Sequence, residues 1–89
     1  NQLPEGRVPT VTIKMGPLDD SSVTFYHKGG DWIRKEDIKI MLNGNPVVFP
    51  YNKVTFDLGD AISVSGVPKG GNISFVVKNA VVFSGVAHQ

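Results

Sequence analysis

Apolar and polar residues alternate with a period of two along most of this 89-residue chain. Val11, Ile13 and Met15 alternate with Thr10, Thr12 and Lys14; Val23, Phe25 and His27 alternate with Ser22, Thr24 and Tyr26. The same rhythm returns at Ile38, Ile40 and Leu42, at Ile62 and Val64, and at Ile73, Phe75 and Val77. Successive side chains of a strand point to opposite faces, so each run has one apolar face for a core and one more polar face. Two runs are less regular, Val47-Val48-Phe49 and Ala80 to Ser84. They read as strands covered on both sides or as edges buried by a partner.

Turn chemistry separates the runs at short intervals. Gly16-Pro17 with Asp19-Asp20, Gly29-Gly30-Asp31, Asn43-Gly44-Asn45-Pro46, Pro50 with Asn52, Gly59-Asp60 and Pro68-Lys69-Gly70-Gly71 with Asn72 all interrupt the alternation. Glycine adopts positive φ readily, proline fixes φ, and Asn or Asp bonds to nearby backbone. Short strands punctuated this regularly predict an all-β fold: an antiparallel β-sandwich of about seven or eight strands, immunoglobulin-like or a partly open barrel. Only Trp32 to Asp37 has room for a helical turn, with Asp31 as its N-cap. Residues 1–10, with two prolines and little pattern, read as a lead-in segment or linker, and residues 11–89 as a single domain.

Composition narrows the function classes. Hydrophobic residues make up 40% of the chain and charged residues 19%, which argues for a folded globule and against disorder. The formal net charge is +1 with no basic stripe, so no nucleic-acid partner is expected. Cysteine is absent, which excludes disulfides and thiolate metal sites. No apolar run exceeds Ala80-Val81-Val82-Phe83, far short of the roughly 18 residues of a membrane span. The chain begins at Asn1 and not at methionine, which reads as a fragment of a longer protein.

The densest chemistry lies in the stretch His27-Lys28-Gly29-Gly30-Asp31. A metal or acid–base reading would pair His27 with Asp31, but zinc takes three or four ligands and the other histidine, His88, is in the tail. The structural reading is a rigid corner: Gly29 and Gly30 reverse the chain, Asp31 accepts backbone N–H groups at the next turn, and His27 donates across the loop from inside. Gly59-Asp60 is a second corner of the same kind. Asp19, Asp20, Asp57 and Asp60 lack the D-x-D-x-D-G spacing of a calcium loop and read as turn carboxylates. None of the six serines sits in a G-x-S-x-G elbow. No catalytic residue, metal or cofactor is therefore expected. Asn72-Ile73-Ser74 is an N-x-S sequon, which makes Asn72 a candidate glycan acceptor. Trp32, the single tryptophan, either folds back as a cap or stays exposed as a contact for a partner.

With these corners the sequence resembles the archaeal type IV pilin family. The resemblance is carried by Val23-Thr24-Phe25-Tyr26-His27-Lys28-Gly29-Gly30-Asp31, then Ile33, Asp37-Ile38 and the strand to Asn43-Gly44. It resumes at Phe56-Asp57-Leu58-Gly59-Asp60-Ala61-Ile62 and spans residues 11–84. Trp32 stands where the family pattern has a small or polar residue. The resemblance implies the extracellular head of a filament subunit or membrane-anchored surface protein, held by an N-terminal hydrophobic helix that this sequence lacks. It implies a structural and adhesive role with no active site. The implied partners are copies of itself, cell-surface proteins and glycans. An archaellum accessory domain contacting the surface layer is an alternative, as is a carbohydrate-binding module with Trp32, Tyr26 and Tyr51 as its stacking platform.

Overall fold

The alternating runs become strands that pair into two larger antiparallel sheets and a third of two short strands, described for residues 9–89 in a computed structural model. In chain order the strands are β1 (Val11–Met15), β2 (Ser22–Gly30), β3 (Ile33–Arg34), β4 (Ile38–Leu42), β5 (Asn45–Val47), β6 (Thr55–Phe56), β7 (Ala61–Ser65), β8 (Asn72–Val77) and β9 (Ala80–Val86). One sheet has the order β1-β2-β7, the other β5-β4-β8-β9, and β3 pairs with β6 as a two-stranded ladder. The strand count passes eight because of β3 and β6, each only two residues long and too short for alternation to register. Residues 1–8 of the expected lead-in lie outside the described residues, while Pro9 is buried and Thr10 is bonded to the Asp31 corner.

The sheets face one another across an apolar core. Phe25 of β2 meets Phe75 of β8 edge-on at 5.3 Å between ring centroids, and Phe75 in turn stacks on Phe56 at 5.6 Å. Ile40, Ile62, Val64, Ile73 and Val77 fill the space around these rings and are wholly buried. Fully burying one such side chain stabilises by roughly 1.5–3 kcal/mol, so these inward positions hold the sandwich shut. β1 lies against β9, and the chain after β9 is pinned by Leu18 N–H to His88 C=O (2.9 Å) and Ala87 N–H to Gly71 C=O (2.9 Å).

Three tight turns use two consecutive residues at positive φ: Asp20-Ser21, Asn43-Gly44 and Lys78-Asn79. This backbone twist matches that of the strands it joins, which is why hairpins favour it. Lys78-Asn79 carries no glycine, and the sequence alone does not single it out.

Two expectations are corrected. The helical turn is one 3₁₀ turn at Lys35–Asp37, entered from Arg34 without a side-chain cap, so Asp31 is not its N-cap. The Val47-Val48-Phe49 run is not one strand. β5 ends at Val47, Val48 is 97% exposed, and Phe49 turns back onto the core. Ala80 to Ser84 does form strand, with Val82 left without an opposite residue by a bulge that breaks its alternation.

Candidate functional site

The His-x-Gly-Gly-Asp stretch closes the far end of β2, but Gly29 and Gly30 do not reverse the chain as expected: both lie within β2, opposite Thr12 and Val11, with Lys28 bulged out beside them. β2 alternates Val23, Phe25 and His27 inward, which buries His27 among apolar neighbours at 1% exposure. Its ring stands edge-on to Phe56 at 5.3 Å. Nδ1 faces the Gly29 N–H at 3.3 Å and accepts from it, so Nε2 carries the hydrogen and donates to the Asp31 carbonyl at 2.7 Å. Both ring nitrogens are thus used within five residues of chain. Among the described residues every buried side-chain nitrogen and oxygen has a partner.

Gly30 is required at this corner. Its φ is +93°, a region L side chains avoid, and a Cβ there would collide with the Thr10 carbonyl oxygen. That close approach lets Asp31 clip the start of β1: Asp31 N–H donates to Thr10 C=O, and Thr10 N–H donates to the Asp31 carboxylate, both at 2.8 Å. The partner of Asp31 is therefore 21 residues upstream, not in the following turn.

The second corner, Asp57 to Asp60, is closed by its own aspartates. Asp60 N–H donates to Asp57 C=O, and Asp57 N–H donates to the Asp60 carboxylate, each at 2.8 Å. The Asp60 carboxylate also receives Lys53 Nζ at 2.6 Å and the Tyr51 hydroxyl at 3.3 Å. The Lys53 ammonium, then the Asp57 N–H, hold the Asp60 carboxyl below its ordinary 3.8. Lys53 is raised by its hydrogen bond to Asp60, and Tyr51 is raised first by burial and then by the Asp60 charge. Tyr51 also donates to Thr55 C=O at 2.6 Å and sets its ring against Phe56.

The two corners are bonded to each other. His27 N–H donates to Asp60 C=O at 3.0 Å, and Gly59 N–H donates to His27 C=O at 3.1 Å. One end of the sandwich is thereby a single latch: His27 holds Asp31 with its ring and the Gly59-Asp60 corner with its main chain. The residue that joins them, His27, is the one a metal reading would take as a ligand.

The remaining candidates are spread apart. Asp19 and Asp20 sit in the turn at the other end of the β2–β7 ladder from Asp57 and Asp60. Among the described residues no three His, Cys, Asp or Glu side chains gather as a metal group. His88 is exposed, and among the described residues its ring bonds only the neighbouring Gln89 C=O. Asn72 is exposed at the start of β8, with its main chain bonded to Asn43 in both directions. Trp32 is 54% exposed on the link from the first corner to β3. Tyr51 is engaged with Phe56, Thr55 and Asp60, whereas Tyr26 lies on the outer face of β2. A shallow hollow elsewhere is lined by Glu36, Asp37, Ile38, Lys39, Lys78 and Asn79.

Sequence reasoning missed Tyr51 and Lys53 as parts of the second corner. They lie nine and seven residues from Asp60, beyond any local turn motif, and reach it only because β6 folds the chain back. No family model, no curated protein and no solved structure matches this chain.

Proposed function

We propose that this domain is a non-enzymatic structural module, the extracellular head of an archaeal type IV pilin-like filament subunit or of a membrane-anchored surface protein. The observation that carries the reading is the latch. The two glycine–aspartate corners on which the family resemblance rests are hydrogen-bonded to one another through His27. The polar residues that could have served chemistry are consumed in holding backbone, which suits a head that must keep its shape outside a cell. Trp32, exposed beside the latch, is where such a head would touch a surface.

The test is immunogold labelling of intact cells that express the whole gene, with an antibody raised against this domain. Labelled surface fibres or a labelled cell envelope, lost on deletion of the gene, are the expected result. Labelling confined to the cell interior, or a product released with no apolar segment of ~20 residues upstream of Asn1, would overturn the proposal. A glycan-array screen separates the alternative reading: binding that disappears in Trp32→Ala would make the domain a carbohydrate-binding module.

A further inference from the structure

β7 is an edge strand of its sheet, and among the described residues nothing pairs with its second side. Its register with β2 alternates, and His27 donates to Asp60 C=O at the end of that ladder. The main-chain groups of Ile62 and Val64 consequently face β2, while those of Ala61, Ser63 and Ser65 face away. These three residues are exposed and make no main-chain bond to any other described residue. Unpaired edges template the addition of another strand, and natural sheets usually blunt them.

Among the described residues the other edges of the two larger sheets are blunted. β5 is three residues long and contains Pro46, which has no N–H to offer. β9 is distorted by the bulge at Val82, and β1 exposes Lys14 and lies against β9. β7, with the sequence Ala-Ile-Ser-Val-Ser, has no charge, no proline and no bulge.

We infer that β7 is the docking edge for a second copy of this chain, pairing antiparallel with its own β7 about a two-fold axis at Ser63. The strand is complementary to itself. Ser63 faces the copy's Ser63, Ala61 faces the copy's Ser65, and each pair exchanges both main-chain bonds. Ile62 then stands beside the copy's Val64, which continues the apolar row of Phe25 and Ile62 across the junction. On the outer face the hydroxyl pairs Thr24–Ser63 (3.0 Å) and Ser22–Ser65 (3.3 Å) continue into those of the copy. Beyond the strand, Gly66 meets the Lys53–Asp60 pair of the copy and presents no side chain to it. A slip of one residue would set serines against the apolar row, and a slip of two would leave one of the three outward-facing residues outside the paired strands, so the register centred on Ser63 is favoured. No charged or bulky group opposes the pairing, which is what makes a second copy the fitting occupant.

A strand this short buries less than a standard interface, so the expected dissociation constant of the isolated domain is roughly 0.1–1 mM. Sedimentation equilibrium, with amide hydrogen exchange read by NMR across that range, is the test. With rising concentration, exchange slows at the Ser63 and Ser65 N–H groups and stays constant at Ile62 and Val64. Ser63→Lys places like charges face to face on the axis and weakens association at least about tenfold, with an unchanged melt. Mixing the Ser63→Lys and Ser63→Glu variants restores it above either alone. A chain that stays monomeric throughout, a Ser63→Lys variant that associates like the parent, or a mixture that associates no better than its components would each overturn the inference. None of these outcomes depends on the filament reading.

Discussion

At the first corner the aspartate reaches back to a single N–H, that of Thr10, and the interior of the loop is filled by the His27 ring. At the second corner the aspartate gathers an N–H, a hydroxyl and an ammonium around one carboxylate, and no ring fills the loop. The first is held by burial and close approach, the second by charge at a partly exposed surface. The difference follows from position. His27 ends an inward-facing row of β2, where desolvated polar atoms must all be matched. Asp60 precedes an edge strand, where water competes and a carboxylate gains only from several simultaneous donors.

The sharpest way to break this contrast is to place the same methyl group at each corner. Gly30→Ala forces a side chain against Thr10 at φ +93° and is expected to cost about 3–5 kcal/mol, seen as a large fall in melting temperature. Gly59→Ala also meets a positive φ, of +87°, but in open space, and should cost only about 1–2 kcal/mol. Equal losses at the two sites would show that close approach does not distinguish the corners.

His27→Phe comes next. It keeps a ring against Phe56 while leaving the part-buried Gly29 N–H and Asp31 C=O without their partner, for about 1–3 kcal/mol in chemical denaturation. A variant as stable as the parent would show that the ring only fills space. Asp60→Ala should lower the melting temperature more than Asp31→Ala, because it strands three donors where the other strands one; a chelator should change neither melt.

The smallest effect is the dependence on pH. Folding lowers the Asp60 pKa, so its contribution is present above pH ~4 and is lost as pH falls through the depressed folded value. Folding raises the pKa of Lys53 and of Tyr51. Their contributions are full below pH ~10 and are lost as pH rises through the elevated folded values. Asp60→Asn should therefore flatten the stability profile at both ends. Added salt should erode the Lys53–Asp60 part and leave the His27 part intact. A profile in which the variant and parent run parallel would show that the ion pair contributes nothing to folding.

Much of this architecture is legible in the chain because alternation is local. Val23, Phe25 and His27 announce an inward row, and Gly29-Gly30 and Gly59 announce positive-φ backbone, which at Gly59 is a turn but at Gly29-Gly30 lies within β2. Pairings are not local. Nothing near Asp31 points to Thr10, and nothing near Asp60 points to Lys53 or to the main chain of His27. The run at Ala80 to Ser84 reads as a strand, and its irregular pattern arises because the bulge at Val82 shifts the period partway along. Trp32 to Asp37 has room for one helical turn, and Lys35–Asp37 forms one of 3₁₀ type, while Ile33 and Arg34 are drawn into a ladder with Phe56 and Thr55.

Sequence by itself determined that the chain is built of short strands, which face of each is apolar, and where the backbone must bend. Those properties depend on neighbours one or two positions away. Tertiary structure alone decided that the two bends lock together around one histidine, and that β7 is the edge left unguarded. Hydrogen-bond partners and sheet edges exist only once distant segments have been brought side by side.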